Sequence, residues 1–214
     1  MKLVLYYAPF TCALAPYITL TEAGAEFEAR PLNLRKQQQM AADYLAINPK
    51  HKVPVLLIDG EPLTENAAIH LWIARNFPEA RLIPTDPWAE LKAISLHSWC
   101  ASGIHPYLAR INNPAKVCGT EGSADSVVAL ATEALHEAFA IADDLLAGRA
   151  WFFDHFTAPD AHFYWCQRRA GQLGVDLARF ANCTAHFERM QERPSVAKLL
   201  AYEKDVLAGF ASAA

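Results

Sequence analysis

Cys12 follows a short apolar run, Leu3–Tyr7, and the turn-forming stretch Ala8-Pro9-Phe10-Thr11, and it precedes a segment with helical patterning. A thiol at the mouth of a helix meets backbone N–H groups and the positive end of the helix dipole, which favour a thiolate. A second stretch with chemical potential is Asn48-Pro49-Lys50-His51-Lys52-Val53-Pro54-Val55, followed by Leu63-Thr64-Glu65-Asn66-Ala67. A proline heading an apolar strand needs a reason, because it cannot donate to a sheet ladder. A cis Val53-Pro54 bond would turn the Val53 backbone toward an extended ligand. An ordinary trans proline at a strand's first residue accounts for the same letters. Thr64-Glu65-Asn66 stands before a helix whose N-terminus can receive a carboxylate, with Glu65 placed to accept an ammonium. Simple capping by Thr64 or Asn66 is the plainer account of that triplet. Taken together, the pieces point to a site for a thiol-bearing peptide.

The elements that must hold these residues alternate in the first part of the chain. Leu3–Tyr7 reads as a buried strand, and residues 12–23 read as a helix closed by Gly24. Phe27–Leu32 is a second strand, Met40–Ile47 a short helix, and Val53–Ile58 a third strand. Asp59-Gly60 supplies a hairpin turn into a fourth strand at Glu61–Leu63, and Glu65–Asn76 closes the unit as a helix. This βαβαββα order predicts a small mixed sheet with helices on its faces. Pro78, Pro84 and Pro87 then mark a linker. Beyond it only helices are predicted: 88–112 with a bend near His105-Pro106, 124–146, one starting at the capping sequence Thr157-Ala158-Pro159-Asp160, 177–191 and 195–210. The expected organisation is a first domain over 1–78, a linker over 79–87 and an all-helical domain over 88–214.

The chain has 214 residues, 53% hydrophobic and 20% charged, with a net charge of −4. That composition fits a folded core and gives nucleic acid no basic stripe to follow. No apolar run approaches the roughly 18 residues of a membrane span. The five cysteines form no CxxC pair, which fits a reducing cytoplasmic setting and neither a disulfide framework nor a metal site. Pro9 and Thr11 interrupt the opening apolar run and argue against a secretory leader.

Other residues have both a chemical and a packing reading. Tyr7 offers a strand-end hydroxyl, but strand alternation sends Tyr6 and Tyr7 to opposite faces, so only one can serve the site. His105 could face the Cys12 thiol and shuttle a proton, or fill an ordinary core position. Phe10, Trp99, Tyr107, Trp165 and Phe210 could line an apolar pocket, although packing explains most such aromatics.

The segments KLVLYYAPFTCALAP, DYLAINPKHKVPVL, LTENAAI, ASGIHPY and FTAPDA, at these spacings, resemble the glutathione transferases, most closely the bacterial beta class. The resemblance spans essentially the whole chain. It implies a thioredoxin-like N-terminal domain, an all-α C-terminal domain, a homodimer, and glutathione as co-substrate for conjugation to a hydrophobic electrophile in detoxification. It also implies that Cys12 lies against the glutathione sulfur, with Tyr7 and His105 nearby. Val53, beside a cis Pro54, would pair with the cysteinyl backbone. Glu65 and Asn66 would hold the γ-glutamyl end, and Lys36, His51 or Lys52 the glycine carboxylate. Phe10 stands where the class usually has glycine or serine, His51-Lys52 replaces Gly-Gln, Asn66 replaces glycine or serine, and Pro106 replaces lysine. Two alternatives stay open: thiol–disulfide exchange through Cys12 by a monothiol route, and a non-catalytic binding or scaffold role.

Overall fold

The computed structural model describes residues 1–212, so Ala213 and Ala214 of the expected second domain lie outside the described residues. Its strands are β1 (Leu3–Tyr7), β2 (Glu28–Pro31), β3 (Val55–Ile58) and β4 (Glu61–Thr64). They form one sheet in the order β2-β1-β3-β4, with β1 parallel to β2 and antiparallel to β3, and β3 antiparallel to β4. All five β1 residues are buried, as expected for a strand covered on both faces. The helices α1 (Leu14–Glu22), α2 (Ala42–Ile47) and α3 (Asn66–Asn76) complete the N-terminal unit. Gly24, at φ +64°, ends α1 in the left-handed region, and Asp59-Gly60, at +50° and +98°, makes the tight β3–β4 turn. The architecture is a thioredoxin-like domain followed by a helical one.

Several boundaries differ from the sequence reading in ways that matter to the site. β3 starts at Val55, because the Val53–Pro54 peptide is cis and stands outside the ladder. Before α3 the cap position is Glu65, at φ +71°, and it makes no side-chain cap, so neither Thr64 nor Asn66 caps that helix. The expected bend at His105-Pro106 is a five-residue π turn, Cys100–Ile104, between α4 (Pro87–Trp99) and α5 (His105–Asn112). Such turns widen a helix and change the direction in which side chains project.

The remaining helices are α6 (Ala124–Leu146), α7 (Ala158–Gln172), α8 (Ala181–Gln191) and α9 (Pro194–Ser212). The start of α7 is pinned as the sequence predicts. The Asp160 carboxylate accepts from the Thr157 N–H and hydroxyl, both at 2.8 Å, and from the Phe152 N–H at 3.1 Å. His186 Nε2 lies 3.1 Å away, and Asp160 is fully buried. Asp160→Ala strands all of these partners away from water, and we expect a loss of about 2–4 kcal/mol in urea unfolding. A loss below about 1 kcal/mol would contradict this account of the cap.

Candidate functional site

Three segments of the N-terminal domain converge on one cavity. The turn between β1 and α1 brings Cys12, the loop before β3 brings Asn48, Lys50, Lys52, Val53 and Pro54, and the β4–α3 junction brings Thr64, Glu65 and Asn66. The helical domain closes the cavity with Ala101 from the π turn, His105 from α5 and His162 from α7. Its volume is about 210 Å³. Phe10, His51 and Glu65, at φ +65°, +46° and +71°, are non-glycine residues in positive-φ backbone along these segments. Residues held in this strained region gather where the surrounding structure over-determines a loop, and functional sites are common examples.

The cavity brings together Cys12, His105, Val53, Pro54, Glu65, Asn66 and Lys52, all singled out from sequence. The Cys12 thiol donates toward the Val53 carbonyl at 3.7 Å, so the cysteine sits directly against the cis-proline loop. Lys50 donates to Thr64 Oγ1 at 2.7 Å and is ion-paired with Glu65, which ties the two N-terminal loops together. Asn66 Nδ2 donates to the Cys12 carbonyl and to His162 Nε2, both at 3.3 Å.

Other sequence candidates lie elsewhere. Tyr7 is fully buried, and its hydroxyl donates to Glu203 Oε2 of α9 at 2.7 Å, away from the cavity. Burial, and then the Glu203 carboxylate, push its phenol upward, so it stays neutral. Tyr6 also serves the fold, its hydroxyl accepting from Arg30 at 3.5 Å. Phe10 lies outside the lining: its N–H donates to Glu203 at 2.9 Å and its carbonyl accepts from Trp165 Nε1 at 3.1 Å. Trp165 is buried and packs edge-on against His105, 4.4 Å between centroids, while Tyr107 stacks with Arg110. Lys36 and His51 are exposed and do not line the cavity.

The expectation of a helix-end thiolate at Cys12 is corrected by burial. The thiol is pushed up to about 12, chiefly by desolvation, with the Asn66 amide opposing the rise. His105 is lowered to about 4 by burial, then by Lys52 and Arg169, so it is a neutral imidazole at pH 7. The resting site therefore presents a neutral S–H donor and a neutral imidazole.

His162 is the functional-site residue that the sequence reading missed. In FYW-rich surroundings it looks like core, and no local pattern in the sequence marks it as a cavity residue. Behind it, His162 Nδ1 lies 3.4 Å from His97 Nδ1, which lies 3.4 Å from His70 Nδ1. Among the described residues, no group of three such side chains is arranged to hold a metal ion.

A family model described as "Glutathione S-transferase, N-terminal domain" matches residues 1–75. The glutathione S-transferase GST-4.5 of Xanthomonas campestris pv. campestris is 30% identical over 190 residues, covering 87% of this chain and 91% of the relative. The chain belongs to the glutathione S-transferase family. Among solved structures, a sphingomonad glutathione S-transferase complexed with glutathione is 32% identical, with a TM-score of 0.83 over 94% of this chain and 98% of the other. The bacterial beta-class glutathione S-transferase of Sphingomonas chungbukensis is similar at 31% identity, with the same TM-score of 0.83 and the same coverage, 94% and 98%.

Proposed function

We propose that this chain is a glutathione transferase that conjugates the glutathione thiolate to hydrophobic electrophiles, in a detoxifying role. The observation that carries the reading is the single cavity uniting Cys12, the cis Val53–Pro54 edge and the Glu65–Asn66 helix entry. Glutathione lies extended along Val53, where main-chain groups outside the ladder meet its cysteinyl unit. Its γ-glutamyl end reaches Glu65 and the N-terminus of α3. Lys52 faces its glycine carboxylate, while Lys36 and His51 have no part in the cavity lining.

The proton logic follows from the neutral groups. Because burial keeps Cys12 protonated, its S–H donates to the glutathione sulfur and stabilises that sulfur as a thiolate, glutathione's own thiol proton passing to solvent. The thiolate attacks the electrophilic carbon, the new C–S bond forms, and the leaving group departs with its electron pair. A thiol raised this far is a poor nucleophile, which favours conjugation over disulfide exchange through Cys12. The protein works as a homodimer in the cytoplasm on this reading, with Trp88 and Leu91 on α4, 66% and 56% exposed, giving an apolar surface for a second copy. No helix among the described residues is long and apolar enough to cross a membrane.

The test couples glutathione binding by calorimetry with turnover of an aryl halide, for wild type and Cys12→Ala. We expect binding in both and turnover lowered about 100-fold in the variant, the cost of one preorganised donor to a developing anion. Neither binding nor turnover in the wild type would overturn the reading in favour of a scaffold role. A stable glutathione mixed disulfide on Cys12, with no turnover, would move it to thiol–disulfide exchange.

A further inference from the structure

The Asn66 side chain is held between two acceptors. One amide hydrogen points to the Cys12 carbonyl and the other to His162 Nε2, each at 3.3 Å, and the residue is buried. An asparagine amide can be turned end for end at little steric cost, so what fixes it is the chemistry of its partners. For His162 Nε2 to accept, its ring must carry its proton on Nδ1, and Nδ1 faces His97 Nδ1 at 3.4 Å. On that assignment His97 Nδ1 is the acceptor of that proton's hydrogen bond, and His70 Nδ1 lies a further 3.4 Å along the row. Turned the other way, the Asn66 oxygen would confront the Cys12 carbonyl oxygen and the His162 lone pair together, placing buried acceptor against acceptor.

We propose that His162 is a positioning residue for the thiol centre: as a neutral acceptor it fixes Asn66 with its amide hydrogens toward the Cys12 segment. His162 lines the same cavity as Cys12, comes from the other domain, and is joined to the cysteine through Asn66. The inward-facing amide is also the strongest influence lowering the Cys12 thiol against the effect of burial. The other groups around that thiol are Lys52, Glu65, His105 and Cys166. The inference builds on Cys12 as the thiol centre of the reading above, but it can be read on Cys12 itself.

The experiment is the rate of iodoacetamide alkylation of Cys12 in the full-length protein between about pH 7 and pH 9, where rate follows the thiolate fraction. It is resolved by peptide mass because Cys118 also reaches solvent. His162→Phe keeps the ring volume and removes the acceptor. We expect Cys12 alkylation about three- to tenfold slower across that range, since the Asn66 amide loses a neutral hydrogen bond of about 1 kcal/mol that holds its hydrogens toward the Cys12 segment. His162→Gln, whose Oε1 can accept from Asn66, should restore the wild-type rate. In an Asn66→Ala background His162→Phe should have no further effect. Equal slowing by Gln and Phe, or additive effects in the double variant, would overturn the proposal. If His162→Phe fails to fold, His162→Leu, which also lacks the acceptor, takes its place in both comparisons. Loss of glutathione binding in the wild type would sink the transferase reading while leaving this alkylation result standing.

Discussion

Glu203→Ala should lower the unfolding free energy by about 3–5 kcal/mol, the range for breaking one side of a buried ion pair. Glu203 projects from α9 into the first domain, where its carboxylate accepts from the Tyr7 hydroxyl at 2.7 Å and the Phe10 N–H at 2.9 Å, and pairs with Arg168 of α7. Its side chain is 4% exposed and that of Arg168 is 16% exposed. Burial alone would raise the carboxyl, yet Arg168 and the two donors hold it below its ordinary value. Removing it leaves a buried guanidinium without its counter-charge, and Arg168 Nη1 already has no partner. The loss also frees the Phe10 N–H, which helps hold that residue at φ +65° two positions before Cys12. Tyr7→Phe, which deletes one hydroxyl, should cost only about 1 kcal/mol. The Glu203→Ala, Arg168→Ala double variant should be more stable than the sum of the single losses implies, because the stranded charge is gone. Urea unfolding of the wild type, the three single variants and the double variant measures all of this. A Glu203→Ala loss no larger than that of Tyr7→Phe would refute the ion-pair account.

That network shows where a sequence reading stops. β1, the Asp59-Gly60 turn and the Thr157–Asp160 cap are written in neighbouring residues, because strand burial, positive φ and reciprocal capping are local chemistry. Cys12, Val53–Pro54, Glu65–Asn66 and His105 were legible as a set because their spacing matches a family pattern, and the fold does gather them in one cavity. Tyr7 was misread for a physical reason. Alternation fixes the face on which a strand side chain lies, but the partner of its hydroxyl stands 196 residues away on α9. Phe10 has a side chain suited to a pocket wall or to packing, and its turn directs both backbone polar groups to Glu203 and Trp165. Lys36 and His51 offer N–H donors suited to a carboxylate, but local order of the loops, not residue type, decides which side chain faces the cavity. Lys52 is the one of these three that does. His162 gave no local signal, since its partners come from α3 and α4.

The same buried imidazoles should make the fold acid-labile well above the carboxylate range. His70, His97 and His162 are each at most 1% exposed. Burial lowers all three first, His70 to about 3 and the others well below their usual value, and neighbouring imidazoles add to the effect at His97 and His162. The groups facing the row are the Asn66 amide, His105 and the Ala15 carbonyl, so no carboxylate is drawn in to compensate a proton. The unfolded chain protonates such histidines near pH 6.5. Their folded values are depressed, so between about pH 6.5 and the folded values the unfolded state binds more protons, and stability falls as pH falls. Above about pH 6.5 the contribution is complete, and it stops declining only below the folded values. Each histidine accounts for about 1.4 kcal/mol per pH unit on that slope, so the three together give about 4 kcal/mol per unit. From about pH 6.5 to pH 5 the loss is about 5 kcal/mol, comparable with the whole stability of a marginal domain. We therefore expect unfolding to begin near pH 5, before the loss at Glu203 sets in at lower pH. In His97→Phe, which removes the middle ring and keeps its volume, the slope should fall by about one third. Urea midpoints between pH 7.5 and pH 5 give both slopes, and a wild type whose stability is flat across that interval would show that these histidines accept protons without leaving the fold.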